Sequence, residues 1–197
     1  MIKRHALQTS LVCCVVLLAA GCSKTDNSKA NFKTAIDNYY GAHPACLWQD
    51  AKKFPVQATT SDEAKTEGFD ALTDTGLLTR TTAEKKVFIL GSKQVNNYDV
   101  SDKGRSVWTQ DPTQPGYGNF CYGHRQVTSI DNFTSTVNAS GTKTAHVNYH
   151  FTVGNVADWA ESQEMKTAFP MLNETTGSSQ PGEATLVMNG NNWQMAQ

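Results

Sequence analysis

Residues 145–153, AHVNYHFTV, alternate strictly between apolar and polar side chains. Val147, Tyr149, Phe151 and Val153 fall on one side of an extended chain. His146, Asn148, His150 and Thr152 fall on the other, because successive side chains of a strand point to opposite faces. A strand with one apolar and one polar face belongs to an antiparallel sheet covered on one side. The same geometry separates the two histidines. Four residues of strand span roughly 13 Å, too far for one ion held at about 2 Å by each imidazole.

Helical spacing occurs elsewhere. Phe32, Ile36, Tyr39 and Tyr40 predict a helix over 29–41, closed by Gly41 and by Pro44 beyond it. The two tyrosines read as core residues or as a binding platform. Residues 43–60 read as irregular. Ser61 is placed to cap a second helix, with Asp62 and Glu63 in its first turn and Gly76 as its stop. Short strands are expected at Lys86–Leu90, Val95–Val100 and Arg105–Thr109, with turns at Gly91-Ser92 and Asp102-Lys103-Gly104. Residues 110–118 (QDPTQPGYG) form a loop and a candidate internal boundary. An extended segment runs from Phe120 to Val137, then a hairpin turn at 138–141. Val156, Trp159, Ala160, Met165 and Ala168 predict a helix over 156–168, ending before Pro170. Residues 173–182 read as a loop, and Glu183–Met188 with Asn192–Met195 as a closing hairpin. The expected fold class is α+β: helices packed on an antiparallel β-meander, then an antiparallel sheet carrying one helix.

The amino-terminal segment differs in kind. Lys3 and Arg4 precede an apolar run, Leu11–Leu18, and Ala19, Ala20 and Gly21 lead to Cys22. Positive charge, apolar run and small residues, in that order, make a secretory signal peptide. The run is short of the about 20 apolar residues that span a bilayer. Leu18-Ala19-Ala20-Gly21-Cys22 resembles the lipobox of bacterial lipoproteins. The resemblance covers residues 1–22 and departs from the family at one place, with the leucine at Leu18 and Ala19 in its usual position. It implies cleavage before Cys22, a diacylglycerol on its sulfur and an acyl chain on its nitrogen. Residues 1–21 are then a leader, 22–30 a polar tether and 31–197 a single domain, with the membrane as partner through the lipid. Ser23 implies, in a Gram-negative member of the family, an outer-membrane position facing the periplasm.

On that reading Cys13 and Cys14 leave with the leader and Cys22 carries lipid. Cys46 and Cys121 remain, and two cysteines in an oxidising compartment read as one disulfide. A redox pair favours C-x-x-C, and a zinc site needs more ligands. The chain has 17 basic and 18 acidic residues, so no basic excess points to nucleic acid as a partner. The N-x-S/T sequons at Asn132, Asn138 and Asn173 read as chance matches in a chain rich in Asn and Thr.

Within 62–108, Phe69-Asp70-Ala71-Leu72, then Gly76-Leu77-Leu78-Thr79-Arg80, then Tyr98-Asp99-Val100-Ser101-Asp102-Lys103-Gly104-Arg105 resemble a winged-helix domain in miniature. The resemblance implies the end of a recognition-type helix, a wing hairpin and a following helix in an N-terminal half. No basic recognition face accompanies it, so it does not imply DNA binding.

Candidate ligand contacts are Trp48, in an expected loop, and Tyr122, His124 and Arg125, where Gly123 lets a ligand approach the backbone. A strand kink with exposed polar side chains accounts for the same residues. His43 near Cys46 suggests a nucleophile pair, which a disulfide at Cys46 removes. Glu161 and Glu164 read as a solvated face. No catalytic residue, metal site or cofactor is assigned, because no G-x-S-x-G, H-E-x-x-H, P-loop or dinucleotide fingerprint occurs. The expected function is a lipid-anchored envelope protein with a non-enzymatic binding or structural role toward an envelope protein or glycan. The alternatives are an inhibitor or immunity protein against a periplasmic toxin or lytic enzyme, and an envelope hydrolase. The partner surface is expected away from the tether.

Overall fold

The computed structural model describes residues 28–87 and 91–196. The leader, Cys22, most of the tether and the end of the strand expected at Lys86–Leu90 lie outside the described residues. Helix α1 spans Lys29–Ala42. Ser28 caps it, its Oγ accepting from Asn31 N. Phe32, Ala35, Ile36 and Tyr40 form its buried stripe, and Pro44 disfavours a further turn. Short strands β1 (Ala45–Cys46) and β2 (Lys52–Lys53) follow, then β3 (Val56–Thr59), α2 (Glu63–Asp74) and the ribbon β4 (Leu78–Val87) with β5 (Gly91–Val100). A turn of helix, α3 (Asp102–Arg105), leads to β6 (Trp108–Gln110) and to the long strands β7 (Tyr117–Val137) and β8 (Lys143–Gly154). A 3-10 turn at Asp158–Glu161, α4 (Gln163–Ala168) and α5 (Met171–Thr175) precede the hairpin β9 (Gln180–Asn189) and β10 (Asn192–Met195). Among the described residues no helix is long and apolar enough to cross a membrane.

The large sheet runs β1-β7-β8-β9-β10, with β2 and β6 also pairing the start of β7; the small one runs β3-β5-β4. All their pairings are antiparallel, giving an α+β fold. The alternation of β8 holds: Ala145, Val147 and Tyr149 are buried under α1, while His146 meets Thr185 and His150 meets Asp131 on the outer face.

β7 carries two bulges, between Val127 and Ser129 and between Ile130 and Asn132. Each extra residue flips the side-chain parity. Val127, Ile130 and Phe133, three apart, therefore all join the core beneath α1. The bulges also release main-chain groups from the ladder, and such groups need partners. α1 supplies them. Lys29 Nζ donates to the carbonyls of Ile130 (2.7 Å) and Asp131 (2.9 Å), and Lys33 Nζ to that of Val127. Asp37 Oδ1 accepts from Val127 N at 2.8 Å, while its Oδ2 pairs with Lys33. Lys29, Lys33 and Asp37 stand at four-residue intervals, on one helix face.

The second core joins α2, α4 and the small sheet to the first part of β7. Trp48, Phe54, Phe69, Trp108, Phe120, Phe169 and Trp159 form its aromatic network. Gly118 and Gly104 permit close packing: a Cβ on the first would lie 2.5 Å from the Trp108 ring, and on the second 2.0 Å from the Leu77 carbonyl. Tyr122 belongs to this core and Val127 to the other, so β7 passes between them at His124–Arg125. Just before that point Cys46 and Cys121, partners in the β1–β7 register, form a disulfide that closes a separation of 75 residues.

Several local expectations change. Strand already begins at Leu78, ahead of the expected start at Lys86; residues 79–85 are exposed and, Ala83 apart, polar on both faces, so no alternation marks them. The capping position of α2 is Asp62, one residue past Ser61. The expected turn at 102–104 is α3, because Ser101 Oγ accepts from Gly104 N. The expected helix 156–168 breaks at Ser162, whose backbone is extended and whose Oγ accepts from Met165 N to cap α4. Residues 43–60 hold three short strands, and 173–182 include the end of α5 and the start of β9.

Two stability predictions follow from these contacts. Cys121→Ser removes a 75-residue constraint and is expected to cost about 4 kcal/mol, read by thermal melting without reductant; equal melting of variant and parent refutes the bridge's role. Asp37→Ala strands the Val127 amide at the bulge and is expected to cost about 2 kcal/mol in urea unfolding.

Candidate functional site

A groove of about 550 Å³ runs between α1 and β10. On the helix side Asn31, Thr34, Ala35, Asn38, Tyr39 and His43 line it, and they recur at three- and four-residue steps because they share one face. On the strand side Asn191, Asn192, Trp193, Gln194 and Met195 line it as one unbroken run. Phe32 fixes the distance between the walls, its ring meeting Trp193 edge-on at 5.1 Å. Trp193 is buried and its indole N–H has no partner among the described residues.

Tyr39 and His43 close one end. Their rings stack at 4.0 Å with 17° between planes. His43 Nδ1 lies 2.8 Å from the Tyr39 carbonyl oxygen. A carbonyl only accepts, so Nδ1 bears the hydrogen and Nε2 of the neutral ring is left as an acceptor. His43 is exposed. The groove therefore offers amides, a hydroxyl, an imidazole and aromatic surface.

The expected ligand contacts separate into two groups. Trp48 packs against Phe54, Phe69, Phe120 and Phe169, and its main chain is held by Asn119 at 3.3 and 2.6 Å. Tyr122 is 4% exposed in the same core. His124 and Arg125 come together at the C-terminal end of α1. His124 Nδ1 approaches the Tyr40 carbonyl at 3.4 Å. The Arg125 guanidinium covers the rings of Tyr40 (5.2 Å) and Phe151 (5.5 Å), with its Nε buried and without a partner among the described residues. Three nitrogenous side chains thus gather where a helix presents its negative end. His43, shared between this cluster and the groove, was read only as a neighbour of Cys46; its four-residue spacing from Tyr39 is the signal that places it.

Two further features have defined chemistry. The Tyr40 and Tyr149 hydroxyls meet at 2.7 Å in the core. A second groove, about 600 Å³ between α2 and α4, carries Glu63, Glu67, Asp74 and Glu164 on its rim. Asp70, also there, is engaged by Arg80 at 2.6 Å and by the Tyr98 hydroxyl at 2.8 Å.

Burial pushes the Tyr149 phenol well above the usual tyrosine range, and its bond with Tyr40 adds to this. Burial and then the bond to Asp70 raise Tyr98. A raised folded value means stability that is complete below the unfolded value near 10 and lost as pH climbs beyond it. Spectrophotometric titration of the folded protein is expected to show Tyr98 and Tyr149 ionising above the usual phenol range near 10; all six tyrosines ionised near pH 10 in a folded protein would contradict this. Comparison with protein-family models, with curated proteins and with solved structures finds no match to this chain.

Proposed function

We propose that this chain is a lipid-anchored protein of the cell envelope with a non-enzymatic binding role, held through Cys22 and contacting its partner with the groove between α1 and β10. The observation that carries the reading is that groove, whose walls present hydrogen-bond groups and aromatic surface suited to holding a ligand. The apolar run, the small residues and Cys22 support the address, and Ser23 supports an outer-membrane, periplasm-facing position in a Gram-negative host.

An inhibitor or immunity role is the second reading, and the β4–β5 ribbon favours it. Pairing with β3 stops at Val95, yet the ribbon continues to the Val87–Gly91 pair. Residues 83–86 and 91–94 are exposed. A two-stranded ribbon standing alone is marginal in water and gains by seating on another protein.

The full-length protein expressed in a bacterium is expected to enter the detergent phase on phase separation, with intact mass showing a terminal Cys22 bearing three acyl chains. Cys22→Ser is expected to lose both properties. An unprocessed, unacylated wild-type terminus would sink the anchoring.

A further inference from the structure

Resting on the reading of the α1–β10 groove as a binding surface, we infer that it takes an extended, uncharged segment of a partner protein, which joins the sheet as a strand beside β10. The wall from Asn191 to Met195 is continuous, although alternate side chains of a strand point to opposite faces. Trp193 and Met195 pack toward α1, while Asn192 and Gln194 are exposed. What the run shares along the groove is its main-chain edge.

The register shows which groups lie on that edge. Among the described residues β10 ends the strand order and pairs with β9 alone. The Ala196 amide donates to the Thr185 carbonyl at 2.8 Å. In an antiparallel pair bonded and non-bonded partners alternate. Gln194–Val187 and Asn192–Asn189 are therefore the bonded partners, and Trp193 and Met195 turn their N–H and C=O away from β9. Two donors and two acceptors at ladder spacing stand along the groove, which is what an added strand pairs with. β10 reads Asn-Trp-Gln-Met, without the lysine or proline that protects many edges.

The opposite wall selects the guest. Among the described residues that line the groove there is no lysine, arginine, aspartate or glutamate. A charged segment would give up hydration there without gaining a counter-ion. An uncharged one meets the Asn31, Asn38 and Thr34 side chains and ends against the Tyr39–His43 stack. A neutral saccharide could use the same side chains but not the main-chain ladder.

The test pans the full-length protein in detergent against a linear twelve-residue peptide library and resynthesises one enriched peptide. Met195→Pro removes an outward N–H without touching a bond to β9, a change that edge strands tolerate; Met195→Leu keeps the N–H. The expected result is an uncharged peptide that slows amide exchange at Trp193 and Met195 of the wild type. Met195→Pro should weaken its binding at least tenfold while remaining folded, with a lowered melting point from the lost Met195 packing, and Met195→Leu should not weaken it. The exchange readout needs no variant, so a misfolded Met195→Pro leaves the inference testable. It is overturned if both amides exchange as before in the bound state, or if a folded Met195→Pro binds equally well. It is also overturned if no peptide enriches while maltotetraose or an N-acetylglucosamine tetramer shifts the groove resonances, a result that would retain the groove as a binding surface. A dimer that Met195→Pro disperses, without peptide binding, overturns it in favour of a second copy. None of these outcomes depends on acylation at Cys22.

Discussion

The seating of α1 on the bulged middle of β7 is the contact from which the rest of this architecture follows. Two bulges bring Val127, Ile130 and Phe133 to one face, and the main-chain groups they free are taken by Lys29, Lys33 and Asp37. The apolar stripe of α1 alone would allow the helix to slide along the sheet, because burial of apolar area is non-directional. The hydrogen bonds are directional and sit at fixed positions on β7, so they set where along the sheet the helix lies. That setting also fixes the groove, since α1 supplies one wall and β10, three strands away from β7, supplies the other.

The same strand holds the two cores together. β7 gives Phe120 and Tyr122 to one and Val127 and Ile130 to the other, and Phe151 of β8 packs against both. A rotation of one core against the other would have to bend β7 between Tyr122 and Val127 and β8 near Phe151; Cys46–Cys121 bonds β1 to β7 just before that stretch, and α1 ends over Arg125 within it. The disulfide thus flanks, and the Arg125–Tyr40 stack lies on, the stretch of β7 that joins the two cores. His124 and Arg125, which sequence reasoning singles out as ligand contacts, have structural partners here: the Tyr40 carbonyl and the Tyr40 and Phe151 rings.

Much of this was legible where a single face is buried. The period of β8 and the stripe of α1 each follow from one-sided burial, and both elements lie where their residues place them. The pairing of Cys46 with Cys121 was legible only through the lipobox resemblance, which sets Cys13, Cys14 and Cys22 aside. Legibility failed where local geometry departs from its regular period. Val127, Ile130 and Phe133 recur every three residues inside a strand, and only the bulges explain that spacing. Residues 79–85 are, Ala83 apart, polar on both faces, so the ribbon carries no periodic signal. Ser162 interrupts a helical pattern by capping its second half. The groove was illegible for a different reason: its strand wall is main chain, which any residue provides, and its helix wall of Asn31, Thr34 and Asn38 resembles an ordinary solvated face.

The position of the groove bears on the expectation that partners approach from the side away from the tether. The groove begins beside Asn31, in the first turn of α1, and runs toward His43. On the reading that Cys22 carries lipid, only the residues from Cys22 to Ser28 separate the acyl chains from that turn, a reach of about 20 Å fully extended. The helix adds about 18 Å between Asn31 and His43. The whole channel then lies within roughly 40 Å of the bilayer, by the same chain and helix dimensions. On that reading a partner segment would be met near the membrane surface, within reach of other proteins rooted in it. Confinement by a short tether raises the effective concentration of such neighbours, which lowers the intrinsic affinity that the four residues of β10 would need.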